Sequence, residues 1–243
     1  MFVTVWRIFI VVVLGVFFSL HQVTAQKITV INAGISGDTT VNLLNRINAD
    51  VLELNPDVVI IMVGTNDMLN TKNMISYSEY EHNLGLLLKH LNTHNIRTLL
   101  VSPPPVDANY LYKRHDKTLY DHTPNDKLDS VAHFMRLLSL NNNALFVDIN
   151  RIFKDKEVPD HNRDLYIKNE LNSEEEDGVH PTAKGYRLIA KEIFQVLKNE
   201  SWLKPGSTIL CLGDSITYGK NVPGQGTANG KTYPAFLKDY IQD

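Results

Sequence analysis

A single cysteine, Cys211, stands among 243 residues, so no intramolecular disulfide can staple this chain. It lies between Leu210 and Leu212 in an apolar run, the setting of a small buried hydrophobe rather than a reactive thiol. Excess positive charge is also missing. Lys and Arg number 24 against 27 Asp and Glu, a formal net charge of -3. That removes the electrostatic footprint of a nucleic-acid binder, and the short cluster Lys113-Arg114 suits a solvated loop. His115, His122 and His161 sit in polar loops without ligand spacing, so no metal site and no cofactor is expected. There is no internal repeat and no low-complexity tract, which excludes a solenoid. The glycine-rich stretch "GQGTANG" at 224–230 precedes no strand–helix unit of the dinucleotide type, and a mobile loop is expected there.

The first 25 residues hold the long hydrophobic run. A lone cation, Arg7, precedes an apolar stretch over 8–20, and Val23-Thr24-Ala25 makes a small-residue cleavage pattern before Gln26. At about 1.5 Å per residue the stretch spans only about 20 Å, short of the roughly 30 Å hydrocarbon core. A cleavable signal peptide over 1–25 is expected, with a secreted or periplasmic product and no stable membrane insertion once it is removed. Residues 26–243 then form one domain, long enough to bury a substantial core.

After that segment two patterns alternate. Short β-branched runs with few charges fall at 28–31, 58–63, 98–101, 145–149 and 208–212, as expected for strands buried on both faces. Helical patterns fall between and after them, at 41–54, 77–91, 127–140, 183–197 and 233–241. In the fourth, Tyr186, Ile189, Ile193 and Val196 recur at helical spacing behind a candidate N-cap, Thr182. Asp38, ahead of Thr39-Thr40, is read as another N-cap. Such alternation implies an α/β fold with a mainly parallel sheet covered by helices on both faces. Two stretches, 103–123 and 154–179, read as irregular loops at the ligand-binding edge.

Chemistry-bearing residues follow the strands. After 208–212 comes Gly213-Asp214-Ser215; after 28–31 comes "NAGISGD"; after 58–63 comes Gly64-Thr65-Asn66-Asp67. A serine, a glycine-rich turn and an asparagine therefore converge on one sheet edge, as acyl transfer requires: a nucleophile with donors aimed at a developing oxyanion. The candidate base is His180, with Asp177 three residues before it, close enough in one short turn to fix the imidazole tautomer. Asn66 could instead brace its turn through Asp67, and Gly34 could be a glycine demanded by backbone geometry alone.

These blocks together resemble the SGNH (GDSL-type) hydrolase superfamily. "GDSITYG" is similar to its nucleophile block, "NAGISGDT" to the glycine block, "GTND" to the asparagine block and "DGVHP" to the Asp-His block. The resemblance implies a three-layer α/β/α sandwich with a flavodoxin-like five-stranded sheet. It implies Ser215 as nucleophile, His180 as general base and acid, and Asp177 as its orienting partner. The implied oxyanion donors are the backbone N–H groups of Ser215 and Gly34 and the side-chain amide of Asn66. Block order departs from the family's, which places the serine first; here Ser215 comes last. The departure suggests a circular permutation, with 200–206 and its Pro205-Gly206 as the linker between former ends. A second, truncated domain starting at Thr208 is the competing account.

Substrates implied by the resemblance are acyl esters of small molecules or glycans. Short-chain, chiefly acetyl, esters of carbohydrates are favoured, because no long apolar lid is visible and Tyr110, Tyr112 and Tyr120 suit stacking on sugar rings. The alternatives are a lysophospholipase-like lipase and a non-catalytic carbohydrate-binding module. The acidic run Glu174-Glu175-Glu176 before Asp177 reads as solvated and weakly adverse to anionic substrates.

Overall fold

The computed structural model describes residues 26–243; the expected signal peptide lies outside them. Strand β1 (Thr29–Gly34) leads to helix α1 (Thr40–Asp50), then β2 (Val58–Met62), the short α2 (Thr65–Leu69) and the long α3 (Tyr77–Thr93). Next come β3 (Arg97–Val101), α4 (Ala108–Leu111), α5 (Pro124–Asn141), β4 (Leu145–Val147), α6 (Ile149–Lys154) and α7 (Glu170–Ser173). The chain then runs through α8 (Ala183–Asn199), β5 (Thr208–Gly213), α9 (Ser215–Tyr218) and α10 (Tyr233–Gln242).

All five strands pair in parallel, in the order β1-β5-β2-β3-β4. The last strand in sequence is thus inserted between the first two. Residues 208–213 are hydrogen-bonded into the same sheet as the other four strands, between β1 and β2.

Both sheet faces are apolar, as strands covered on two sides must be. Val58, Ile60 and Met62 join Ile209 and Cys211 in a core with Ile189 and Ile193 of α8 and Phe236 of α10. The alternate residues Val59, Ile61 and Val63 face Leu43 of α1, Leu84 of α3 and Val131 of α5. The α/β architecture expected from the alternating pattern is what the chain adopts. Helix starts carry the expected chemistry: Thr182 accepts from Gly185 N–H at 3.2 Å, and Thr123 caps α5 with Pro124 in its first turn.

Boundaries differ where side chains compete with the pattern. The expected strand 145–149 ends at Val147, because the Asp148 carboxylate accepts from Arg151 N–H and starts α6 there. The expected helix 41–54 stops at Asp50 and tightens into a 3₁₀ turn at Leu52–Leu54. Thr39, not Asp38, occupies the N-cap of α1. The loop at 224–230 is knitted rather than open: Gly226 N–H donates to Tyr218 O at 2.6 Å, Lys231 N–H to Pro223 O at 2.8 Å, and Asn32 Nδ2 to Thr227 O at 3.1 Å.

Candidate active site

The register sets Gly34, Gly213 and Met62 side by side at the carboxyl ends of β1, β5 and β2. Three loops that lie far apart in sequence therefore leave the sheet at one edge. The step from β5 into α9 is tight, and Asp214 governs it: its carboxylate accepts from Ile216 N–H at 2.8 Å as the N-cap. Ser215 is consequently lifted to the first position of α9, where its N–H has no acceptor within the helix.

Across from it, Asp177 organises the loop before α8. Its Oδ1 accepts from the backbone N–H groups of Val179 and His180, both at 2.8 Å, and its Oδ2 lies 2.7 Å from His180 Nδ1. His180 Nε2 stands 2.9 Å from Ser215 Oγ. With the carboxylate taking the Nδ1 proton, Nε2 is left to accept from the hydroxyl. Both loop side chains are nearly buried. Burial pushes the Asp177 carboxyl upward, but hydrogen bonding to the His180 ring, its charge and the two backbone donors together hold it well below the usual range.

The glycine block is arranged differently from the expectation. Gly34 N–H is already taken by Asn32 Oδ1 at 3.0 Å, and Gly34 lines a separate groove with Arg46 and Leu54. It cannot serve as an oxyanion donor here. What Gly34 does is let α9 approach β1: a Cβ there would meet Tyr218 N at 2.2 Å. The residue that borders the serine cavity is Gly37. Its φ of +93° favours glycine, a Cβ there would have open space around it, and its N–H has no partner among the described residues. Asn66 lines the same cavity, and one of its amide hydrogens is anchored on Asp38 O at 2.9 Å. The second amide hydrogen has no partner among the described residues.

Charged groups hold these loops from behind. Arg46 reaches Asp38 at 2.7 Å, Ala33 O at 2.9 Å and Gly213 O at 3.1 Å, tying the ends of β1 and β5 to the glycine turn. Asp67 fixes the asparagine turn to α1 through the backbone N–H and hydroxyl of Thr40. The bracing considered for Asn66 thus falls to Asp67. Burial raises the Asp67 carboxyl to about 6 against those two bonds, and raises Asp214 to about 7.

The cavity between these loops encloses about 220 Å³. Leu69, Leu111 and Val179 give it an apolar side; Ser36, Gly37, Asn66, His180 and Ser215 form its polar floor, and Arg114, His115 and Lys220 complete the wall. Of the tyrosines expected to stack on sugars, Tyr110 is buried and bonded to Asn162, and Tyr120 donates to Leu69 O. Tyr112 is the exposed one of the three and leans on the half-buried Tyr120. Two of the three glutamates of the acidic run are paired: Glu175 with Lys168 and Glu176 with Lys113. Gly37, Arg46 and Lys220 were not singled out from the sequence, and Arg114 was read only as part of a solvated cluster with Lys113. A glycine directly before the Asp38-Thr39-Thr40 capping segment was the one available signal for the first.

The model of the GDSL-like lipase/acylhydrolase family matches residues 18–188. The chain belongs to that family and is a carboxylic ester hydrolase of the GDSL/SGNH type. It is 26% identical over 185 residues to an acetylxylan esterase of Geobacillus stearothermophilus, covering 73% of this chain and 75% of that one. A shorter match, 32% over 88 residues, is to a Bacillus subtilis protein named "Uncharacterized lipoprotein YqeF", with 34% of this chain and 36% of that protein covered. Among solved structures, a mutant acetyl-xylooligosaccharide esterase from Geobacillus superposes with a TM-score of 0.53 at 23% identity, over 67% of this chain and 68% of that one. A lipase/acylhydrolase from Enterococcus faecalis gives 0.53 at 22%, over 68% and 72%.

Proposed function

We propose that the protein is an exported serine esterase that removes short acyl groups, chiefly acetyl, from carbohydrate esters. The carrying observation is the relay from Asp177 Oδ2 through the His180 ring to Ser215 Oγ, with steps of 2.7 and 2.9 Å, inside a cavity of about 220 Å³. Ser215 attacks the ester carbonyl while His180 Nε2 takes its proton. The oxyanion is received by the N–H groups of Ser215 and Gly37 and the free amide hydrogen of Asn66. His180 then protonates the leaving alcohol, and water repeats the sequence on the acyl-enzyme. The small volume of the cavity, with Leu69, Leu111 and Val179 in its lining, favours a short acyl group, and the likeness to an acetylxylan esterase favours acetyl on a sugar.

The same reading includes a single catalytic domain over 26–243, a cleaved signal over 1–25 and a permuted block order. Counted from β5, the sheet order becomes 2-1-3-4-5, the flavodoxin-like arrangement. The family match ends ahead of β5, and residues 26–28 border one groove with Ile241 and Gln242. Both observations support an arrangement in which α10 once led into β1. The apolar run before Gln26 and the lipoprotein name of one relative support export.

Initial rates on p-nitrophenyl acetate and p-nitrophenyl decanoate test the acyl preference. Acetate is expected to be the faster substrate; a preference for decanoate would replace this reading with the lysophospholipase-like one. Replacing Asn66 by Ala removes one oxyanion donor and should lower kcat by about 10²–10³, with little change in KM. Full activity in that variant would take Asn66 out of the mechanism.

A further inference from the structure

The cavity carries a charge that the chain as a whole does not. Two fixed cations, Arg114 and Lys220, line it beside His180 and Ser215, and none of its lining residues is a carboxylate. Arg114 is held in place by carbonyls alone: Nη1 donates to Glu176 O at 2.8 Å and Nη2 to Asp177 O at 2.5 Å. Lys220 is fixed at its backbone, where its N–H donates to Ser215 O at 3.0 Å, one turn beyond the nucleophile. Neither side chain has a carboxylate partner among the described residues. Arg114 and Lys220 also line an adjoining outer cleft, where Glu175, Glu176 and Asp177 occur. Glu175 and Glu176 are matched by Lys168 and Lys113, and the Asp177 carboxylate is turned to His180 Nδ1 and two backbone N–H groups, so none of the three forms an ion pair with either cation at the mouth. The His115 imidazole in the cavity lining is held below its ordinary value first by burial and then by the nearby Arg114 and Lys72 charges.

Resting on the esterase reading above, we infer that the preferred ester carries an anionic group on its alcohol side, received by Lys220 and Arg114 at the cavity mouth. The acyl group occupies the apolar side by Leu69 and Leu111. The leaving alcohol therefore faces the two cations, and a carboxylate or phosphate about three or four bonds beyond the ester oxygen neutralises charge that no carboxylate pairs with. A uronic acid sugar and a glycerol phosphate both offer this chemistry; a neutral xylan backbone does not. Lys220 and Arg114 are then specificity residues that act on binding, while Arg114 also steadies the loop bearing Asp177.

Matched pairs of acetyl esters test this at pH 7 and low ionic strength. One pair is mono-O-acetylated methyl glucuronide against the methyl glucoside; the other is acetyl glycerol phosphate against acetyl glycerol. In at least one pair the anionic member should show kcat/KM about tenfold higher, through KM, the scale of one well-placed charge near a surface. The pair with the larger ratio names the source of the anion. Raising salt to about 0.5 M should shrink that ratio. Lys220→Glu should bring it to one or below, and Lys220→Arg should keep it. Ratios at or below one in both pairs, from an enzyme that hydrolyses p-nitrophenyl acetate, overturn the inference and leave the esterase reading standing. Failure to hydrolyse p-nitrophenyl acetate, together with no fluorophosphonate labelling, overturns both.

Discussion

Ser215→Ala should lower kcat on p-nitrophenyl acetate by about 10⁶, the scale seen when a triad nucleophile is removed, and should abolish labelling by a fluorophosphonate probe. The substitution isolates chemistry from folding. Asp214, not Ser215, caps α9, and the Ser215 hydroxyl bonds to His180 Nε2. Removing one oxygen from this nearly buried position leaves the strand, the turn and the cap intact, so the melting temperature should stay close to that of the parent. Two other hydroxyls line the cavity, on Ser36 and Thr65, but neither has a hydrogen bond to the imidazole among the described residues. A loss smaller than about 10²-fold, or persistent probe labelling, would transfer the nucleophile to one of them. The residual rate in the variant should still exceed the uncatalysed one, because the donors of Gly37 and Asn66 remain.

The framework of this fold was legible because buried parallel strands leave so few alternatives. A run such as Val58-Val59-Ile60-Ile61-Met62 is fully buried, and its odd and even residues feed two different cores. Likewise Tyr186, Ile189, Ile193 and Leu197 sit on the buried face of α8. The convergence of the serine, glycine and asparagine loops followed from placing each block after a strand of one sheet, while the Asp-His loop, which precedes α8 rather than following a strand, was placed only by its spacing and its family resemblance. What failed was finer. Gly34 ends β1 and Gly37 lies three residues on in the turn that follows, and their roles depend on which N–H a neighbouring side chain captures. Asn32 folds back onto Gly34 N–H, a choice set by the local turn geometry rather than by composition. The tyrosines of 103–123 looked suited to sugar binding because polar neighbours imply exposure. Instead α4 turns Tyr110 inward, where it packs against His161 and bonds to Asn162. The charge of the site was equally hidden. Two members of an acidic tract, Glu175 and Glu176, are paired in space with Lys168 and Lys113, residues that neither pattern nor spacing links to them.

Asp177→Asn should cost about 10⁴ in kcat, the loss expected when the imidazole is left in the wrong tautomer. The conservative amide is the informative change because Asp177 performs two separable tasks. Its Oδ1 receives the N–H groups of Val179 and His180 and thereby shapes the turn; an asparagine oxygen can keep both bonds. Its Oδ2 receives the His180 Nδ1 proton at 2.7 Å; an amide nitrogen there presents hydrogens instead. The ring then holds its proton on Nε2, which points a donor at Ser215 Oγ where an acceptor is needed. Loop and fold survive while proton transfer fails, so KM should change far less than kcat. Asp177→Ala should differ in kind: the turn loses its acceptor as well, and thermal stability should fall along with the rate. A nearly native rate in Asp177→Asn would mean that the carboxylate serves only the turn, and that the imidazole is oriented by something other than Asp177.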